Sequence, residues 1–285
     1  MPEGDALNIN GANVHVSKTR YIIIGYPRSG TTIIHLAVMG HPNVTALTDE
    51  MKIVPFFTRG ISIFTFGNDT REEKERGYRA LFDALTLLKE KEDTRAHGLK
   101  VVCPSPERAR ALVHVLQRYI DDIKVILILR RDLVAQLGSE LHAKKTGVYH
   151  SWYGRFQDMK PKKIKIYKFE FIGYASSVFE THHELKRLEE THHVLDIHYE
   201  DLLAHQSEVF EKIYAFLNIP ALEPTWLDSK KVLPPPEEYI TNYRDMRLVL
   251  ADLEKRAIPQ YCVSISKTSL KLYKLFRYLG TRLKR

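Results

Sequence analysis

A loop between a hydrophobic segment and a helix-like segment carries the residue types that bind phosphate or sulfate. The segment Tyr21–Gly25 ends at Gly25, and Gly30 follows after four residues, which is the glycine spacing of a phosphate-binding P-loop. In such a loop the backbone N–H groups point at one anion, and the N-terminus of the next helix adds unpaired amides and a positive dipole end. The sequence therefore predicts an anion site over residues 25–32.

The cation of this loop differs from that of nucleotide-hydrolysing P-loops. Those loops carry a lysine directly after the second glycine, whereas this chain has Thr31 at that position and Arg28 inside the loop. The Arg28 guanidinium is planar, permanently charged and suited to phosphate or sulfate oxygens, and the hydroxyls of Thr31 and Thr32 add further donors. The loop is therefore predicted to bind an anionic group that is contacted by arginine and not by lysine.

A second basic motif follows a second hydrophobic segment. Lys124–Leu129 has the β-branched, continuous character of a buried strand, and Arg130 and Arg131 come directly after it. Ser139 lies on the next helix-like segment, nine residues after Arg130 and eight after Arg131. Together, the two motifs resemble the donor-binding motifs of sulfotransferases that use 3′-phosphoadenosine-5′-phosphosulfate (PAPS) and release the corresponding bisphosphate (PAP).

This resemblance implies how the donor is bound. The loop would hold the 5′-phosphosulfate through Pro27, Arg28, Ser29, Gly30, Thr31 and Thr32. An arginine at the end of the strand and Ser139 would hold the 3′-phosphate. The spacing from Arg130 to Ser139 is that of bacterial trehalose sulfotransferases, and the spacing from Arg131 is that of cytosolic animal enzymes. Both arginines remain candidates for the 3′-phosphate contact, and we favour Arg130 because it directly ends the strand.

The resemblance also implies the chemistry. Sulfuryl transfer needs attacking and leaving oxygens in line, charge stabilisation, here by Arg28, and a base for the proton of the acceptor. Glu50 is our candidate base because related bacterial and tyrosyl-protein enzymes present a glutamate from this position; Asp49 is the alternative. The histidine of the cytosolic animal enzymes is absent from Lys100–Pro104, which leaves Lys100 as a contact for the sulfuryl group or the acceptor. No metal is expected.

Two later segments resemble the same family more loosely. His198–Leu202 matches a late segment of the family, which we interpret as structural. Lys231 precedes Glu238–Tyr243, which resembles the C-terminal loop that closes over the nucleotide in bacterial members. Lys231 is therefore a candidate phosphate contact, with an ordinary surface lysine as the alternative.

Hydrophobic runs and helical patterns alternate along the chain. The runs predict strands at Tyr21–Gly25, Gly98–Cys103, Lys124–Leu129 and Val194–Tyr199. The helical patterns lie at about Thr31–Met39, Arg71–Glu92, Ser105–Ile120, Asp132–Lys145, Tyr174–Thr191, Ser207–Leu217 and Asn242–Arg256. Ser105 is the predicted N-cap of its helix, with Pro106 at the first helical position, and Ser207, followed by Glu208, is the predicted start of another. This order predicts an α/β fold with a P-loop-like, doubly wound parallel β-sheet flanked by helices. We expect a single domain over residues 1–285, with a flexible N-terminus to about residue 18 and a basic C-terminal helix or tail over about residues 262–285.

Charge and composition limit the partners. The net charge is +8, but residues 267–285 hold seven Lys or Arg and no acid, so the rest of the chain is nearly neutral and a nucleic-acid interface is not expected. The basic tail is expected to pack on the domain, with weak contact to a membrane surface as the alternative. No stretch reaches the roughly 20 apolar residues of a membrane span, and two distant cysteines suit a reducing, cytoplasmic location.

The acceptor is predicted only by class. A small molecule or carbohydrate that is sulfated on oxygen or nitrogen is expected. Asp49 and Glu50 at the predicted transfer site, with Asp69, Glu72 and Glu73 in the segment that follows, favour a cationic acceptor. A cationic secondary metabolite, for example a saxitoxin-type alkaloid, is one such acceptor. One alternative is a P-loop kinase or NTPase, against which stand the missing loop lysine and the arginine, in place of a magnesium-binding acid, after Lys124–Leu129. The other is a non-catalytic protein that binds PAPS or PAP.

Overall fold

Parallel strands form the centre of the fold. The computed structural model describes residues 18–47, 70–86, 91–148, 161–223 and 233–256. In these ranges the strands are β1 (Thr19–Gly25), β2 (Val44–Ala46), β3 (Ala96–Val102), β4 (Ile123–Leu129) and β5 (Val194–His198). Their order across the sheet is β2-β3-β1-β4-β5, and all neighbouring pairs are parallel. The predicted anion loop therefore follows the central strand β1, and Arg130 follows its neighbour β4.

Helices cover both faces of the sheet. They are α1 (Thr31–Gly40), α2 (Arg71–Thr86), α3 (Pro106–Tyr119), α4 (Leu133–Thr146), α5 (Lys168–Lys186), α6 (Tyr199–Ala204), α7 (Gln206–Leu217), α8 (Pro236–Tyr239) and α9 (Tyr243–Arg256). A 3-10 turn at Arg187–Glu190 extends α5. None of these helices is long and apolar enough to cross a membrane.

The burial of β1 on both faces explains why its sequence is hydrophobic throughout. Ile22 and Ile24 lie in one core with side chains of α2 and α3, whereas Tyr21 and Ile23 lie in a second core with side chains of α1 and α7. Full burial of an isoleucine side chain contributes about 1.5–3 kcal/mol relative to exposure. A third core around Tyr26, the first residue after β1, joins α4, α5 and α9 beside the anion loop.

The structure confirms the predicted α/β class and the parallel, helix-flanked sheet, and it corrects several elements. The short strand β2 and the short helices α6 and α8 were not predicted. Helix α5 begins at Lys168 and not at Tyr174, and Glu92, the predicted end of α2, is not helical. The predicted N-terminal segment and basic tail lie outside the described residues, apart from residue 18.

Two predicted helix starts have different outcomes. The Ser105 side chain accepts a hydrogen bond from the Arg108 backbone N–H at 3.4 Å, with Pro106 in the first turn, so this N-cap is confirmed. The start at Ser207 is wrong, because α7 begins at Gln206 and His205 occupies the N-cap without a side-chain hydrogen bond. A serine with an acid directly after it is therefore not enough to define a cap.

The two serines give a matched test of helix capping. Ser105→Ala is expected to lower the free energy of unfolding by about 1 kcal/mol, because a donor at the start of α3 loses its acceptor. Ser207→Ala, which removes no cap, is expected to change it by less than about 0.5 kcal/mol. Urea unfolding followed by circular dichroism measures both, and equal effects would show that Ser105 does not act as a cap.

Candidate active site

The loop after β1 has the backbone geometry of an anion-binding turn. Arg28 and Gly30 adopt left-handed conformations, with φ of 65° and 98°, and the Ser29 N–H donates to the Tyr26 carbonyl at 3.2 Å. Left-handed residues in such turns help to form concave groups of N–H donors that bind anions. A side chain at Gly25 has no room, because a Cβ there would lie 2.4 Å from Ser29 Oγ. The left-handed conformation is uncommon for a residue other than glycine, so Arg28 is held in a strained position of the kind found at functional sites.

The N-terminus of α1 faces this turn without a neutralising group. Gly30 is the N-cap residue, it provides no side-chain acceptor, and the first turn of α1 contains no acid. The amides of the first turn and the positive dipole end are therefore available to a ligand anion. The buried Ser29 Oγ has no hydrogen-bond partner among the described residues. A buried hydroxyl of this kind is explained when an anionic ligand accepts its hydrogen bond.

Lys100 lies beside the start of α1. It is on β3, which pairs with β1, and its Nζ donates to Thr32 Oγ1 at 3.3 Å. The structure therefore brings the predicted Lys100 next to the predicted donor loop. An ammonium group here adds a second positive charge at the end of the loop.

Side chains after β4 contact the loop from the other side. The Arg28 Nε–H donates to Ser139 Oγ at 3.0 Å, and Arg130 Nη1 donates to the Arg28 carbonyl oxygen at 3.0 Å. Gln136, which is fully buried, donates from Nε2 to the Pro27 carbonyl at 2.7 Å. The two basic motifs, more than 100 positions apart in the sequence, therefore form one site.

The site concentrates positive charge. Burial and, second, the positive charge of Arg130 lower the pKa of the Arg28 guanidinium. No described carboxylate forms an ion pair with Arg130, whose buried Nε also has no hydrogen-bond partner in the described ranges. Two guanidinium groups that repel each other in this way are stabilised when an anion binds between or beside them.

Arg131 points to a different partner. Its guanidinium forms two hydrogen bonds to the Asp201 carboxylate, at 2.7 and 3.0 Å, and this raises the pKa of Arg131 and lowers that of Asp201. Arg131 is mostly exposed, whereas Arg130 contacts the loop. Of the two arginines that sequence spacing left open, Arg130 is therefore the one that contacts Arg28, which in turn donates to Ser139.

Tyr199 was missed as a site residue by the sequence analysis. Its ring lies 4.5 Å from the Arg130 guanidinium carbon, and a Cβ added at Gly30 would approach the same ring to 2.6 Å. Tyr199 belongs to the segment 198–202 that was interpreted as structural. Its position at the carboxyl end of a predicted parallel strand was the available signal, because the carboxyl ends of adjacent parallel strands meet at one edge of the sheet.

Helix α8 and the residues after it lie next to Ser139. Tyr239 and Ile240 are buried, and a Cβ added at Gly138 would lie 2.3 Å from Ile240 Cδ1. Burial raises the pKa of Tyr239 to about 12, so its hydroxyl is neutral at physiological pH. The segment that was compared with a nucleotide-covering loop is thus packed on α4 beside the candidate 3′-phosphate position.

The model of the sulfotransferase family matches residues 21–224, which is more than half of the chain and includes both basic motifs. The chain belongs to the sulfotransferase family. The family match covers β2 to β5, residues 21–25 of β1 and the loop of residues 25–32. It agrees with a site that binds anions through backbone amides, arginines and hydroxyls.

Solved sulfotransferase structures share the fold. One from Alicyclobacillus acidocaldarius has 17% sequence identity and a TM-score of 0.50, with 90% of this chain and 96% of that chain covered. The sulfotransferase domain of the Synechococcus olefin synthase has 16% identity and a TM-score of 0.45, covering 92% and 95%. Mouse sulfotransferase SULT7A1 complexed with PAP has 15% identity and a TM-score of 0.46, covering 90% and 89%. No curated protein matches the chain.

Several predicted residues of this sulfotransferase-family chain lie outside the described residues. Glu50, its alternative Asp49, and Lys231 are among them, so their roles stay predictions. In the described part of the chain, no three His, Cys, Asp or Glu side chains are grouped as a metal site requires. The structure therefore describes the part of the candidate site formed by residues 25–32, Lys100, Arg130 and Ser139.

Proposed function

We propose that this sulfotransferase-family protein transfers the sulfuryl group of PAPS to a hydroxyl or nitrogen of a small-molecule or carbohydrate acceptor. The observation that carries the proposal is the joining of the loop of residues 25–32 to Arg130 and Ser139 by hydrogen bonds of 3.0 Å. These contacts support a site in which two groups that would bind anions lie side by side. A nucleotide that carries both a 5′-phosphosulfate and a 3′-phosphate suits such a pair.

The donor would bind through charge-assisted hydrogen bonds. The amides and hydroxyls of Ser29, Gly30, Thr31 and Thr32, following Pro27, would hold the 5′-phosphosulfate. Arg130 and Ser139 would hold the 3′-phosphate, and Lys231 would add a further phosphate contact. Each hydrogen bond to a charged group contributes about 1.5–3 kcal/mol, so a few of them account for micromolar or tighter binding.

Arg28 would change partners when the donor binds. Its Nε–H donates to Ser139 Oγ. A 3′-phosphate at Ser139 would compete for that hydroxyl, which leaves the Arg28 guanidinium to contact the bridging oxygen of the leaving group. Arg28 would then stabilise the charge that develops on PAP, and Lys100, beside Thr32, would contact the sulfuryl oxygens.

The reaction would be an in-line displacement. The oxygen or nitrogen of the acceptor forms a bond to sulfur while the bond between sulfur and the bridging oxygen breaks, and PAP leaves with the electron pair. The acceptor proton passes to a carboxylate base, for which Glu50 is the candidate and Asp49 the alternative. No step uses a metal, because fixed N–H and guanidinium donors hold the leaving phosphate.

A cationic acceptor is proposed from the acidic residues around the predicted base. Glu72 and Glu73 lie in the first turn of α2, and hydrogen bonds from Thr70 lower the pKa of Glu73, so that carboxylate is ionised at neutral pH. Asp69 is close to them in sequence, and Asp49 and Glu50 lie more than 20 positions before Glu72. A cationic secondary metabolite, such as a guanidinium-bearing alkaloid of the saxitoxin type, is the class that this charge favours.

Incubation with PAPS, EDTA and an acceptor panel tests the proposed function. Mass spectrometry should show an acceptor that gains one sulfuryl group and an equal amount of PAP. Transfer of a phosphoryl group from ATP, abolished by EDTA, would show a P-loop kinase instead. PAP binding without transfer to any hydroxylated, amino or guanidino acceptor would favour a non-catalytic binding protein.

Arg130 and Arg131 give a matched test of the 3′-phosphate position. Arg130→Ala is expected to weaken PAP binding about 10–100-fold, because one or two charged hydrogen bonds are lost. Arg131→Ala, which breaks an exposed ion pair with Asp201, is expected to change it less than about 3-fold. Isothermal titration calorimetry measures both, and a larger loss in Arg131→Ala would reverse the assignment.

A further inference from the structure

The residues after β5 contact the segment that carries Arg130. Strands β4 and β5 are parallel neighbours, with Leu129 opposite His198. Arg130 and Tyr199 therefore leave the sheet side by side. The contacts between the two segments involve both the Arg130 side chain and the backbone that follows it.

Tyr199 supports the guanidinium of Arg130 on one face. The ring centroid lies 4.5 Å from Arg130 Cζ, within the range of a cation–π contact. Arg130 Nη1 is bonded to the Arg28 carbonyl, and its buried Nε has no partner among the described residues. The Tyr199 ring thus holds one face of the guanidinium and the Arg28 carbonyl holds its Nη1, while the Nε–H is available to a ligand.

Glu200 holds the backbone directly after Arg130. One carboxylate oxygen accepts from the Arg131 N–H and the other from the Asp132 N–H, each at 3.1 Å. Asp132 is the N-cap of α4, where its side chain accepts from the Ala135 N–H at 2.9 Å. Glu200 therefore fixes the turn from which both Arg130 and the helix bearing Ser139 extend.

Arg130 needs such support because it adjoins another cation. The positive charge of Arg130 contributes to the lowered pKa of Arg28, after burial, which means that the two groups repel each other. A long side chain that is repelled in this way samples other rotamers unless neighbours hold it. Holding it before the ligand arrives reduces the entropy lost on binding.

We propose that Tyr199 and Glu200 are positioning residues for Arg130, the ring holding its guanidinium and the carboxylate holding its backbone. The proposal rests on the proposed function, in which Arg130 binds the 3′-phosphate of the donor. Neither residue needs to touch the reacting atoms. Their effect is selective: they raise affinity for nucleotides that carry a 3′-phosphate and leave binding of the 5′-phosphate unchanged.

The test compares PAP with AMP, which lacks only the 3′-phosphate, on the full chain by calorimetry. Tyr199→Leu and Glu200→Gln are expected to weaken PAP binding about 5–30-fold and AMP binding less than about 2-fold. Tyr199→Phe keeps the ring and should bind PAP like the parent protein. Asp201→Asn is the control, because Asp201 is adjacent to Glu200 but contacts only the Arg131 side chain in the 130–132 segment.

Each outcome decides between positioning and packing. Equal losses for PAP and AMP, or an unchanged PAP-to-AMP ratio in both Tyr199→Leu and Glu200→Gln, would overturn the proposal. A loss in Tyr199→Phe as large as in Tyr199→Leu would overturn the role of the ring. If Tyr199→Leu does not fold, the near-isosteric Glu200→Gln still provides the test. Failure of the parent protein itself to prefer PAP would instead overturn the proposed function, and the proposal with it.

Discussion

Removal of the Arg28 side chain is expected to lower kcat by about 100–1,000-fold while the protein stays folded and binds PAP. The reason is that a preorganised donor at the leaving oxygen contributes most in the transition state. Arg28→Ala and Arg28→Gly should lower kcat alike, because both remove the guanidinium, and glycine in addition adopts the φ of 65° at this position without strain. Single-turnover rates with PAPS and an identified acceptor measure the effect, with circular dichroism as the check on folding.

Arg28→Lys is the informative control for this prediction. Lysine keeps the charge but lacks the planar guanidinium that reaches Ser139 Oγ, so an intermediate rate is expected. Rates within about 3-fold of the parent protein in Arg28→Ala would contradict the role given to Arg28. A loss of PAP binding equal to the loss of rate would show that Arg28 binds the ground state and does not stabilise the leaving group.

Glu50→Gln is expected to lower kcat by about 100–10,000-fold, which is the range for loss of a general base. Affinity for PAP should stay within about 2-fold, since the proposed donor contacts are assigned to residues 25–32, Arg130 and Ser139 and not to Glu50. Asp49→Asn is the matched control because it removes the adjacent carboxylate, and it should retain most of the rate. Pre-steady-state kinetics with PAPS and acceptor separate the chemical step from product release.

The rates of the two variants show which carboxylate, Glu50 or Asp49, is the base. A large loss in Asp49→Asn with a small loss in Glu50→Gln would assign the base to Asp49. Small losses in both would show that the base lies elsewhere in the chain. A pH–rate profile adds a second criterion, because removal of the base should abolish the acidic limb of the profile.

Much of the fold could be predicted because the strands are buried on both faces. This holds best for β1 and β4, which are continuous hydrophobic segments, whereas Lys100 interrupts β3 and Asp196 interrupts β5; the pattern still indicates a parallel sheet covered by helices. Strand β2 has only three residues, at the edge of the sheet, and shows no hydrophobic run. Helices α6 and α8 have six and four residues, too few to show a helical period.

The candidate site was predictable where local motifs define it. Glycine spacing predicted the loop of residues 25–32, and the resemblance to sulfotransferases implied that an arginine after Lys124–Leu129 belongs to the same site. The choice between Arg130 and Arg131 depends on Asp201, about 70 positions away, whose carboxylate forms an ion pair with Arg131. Tyr199 depends in the same way on the pairing of β4 with β5, so its contact with Arg130 could not be read from neighbouring residues.

The central claim is that two adjacent anion-binding groups select a nucleotide with both a 5′- and a 3′-phosphate. Calorimetry of the parent protein with PAP, AMP and ATP, in the presence of EDTA, tests it most directly. PAP is expected to bind at least about 10-fold more tightly than AMP or ATP, since charged contacts to Arg130 are worth that much. Equal affinity for PAP and AMP, or tighter binding of ATP once Mg²⁺ is supplied, would contradict the account.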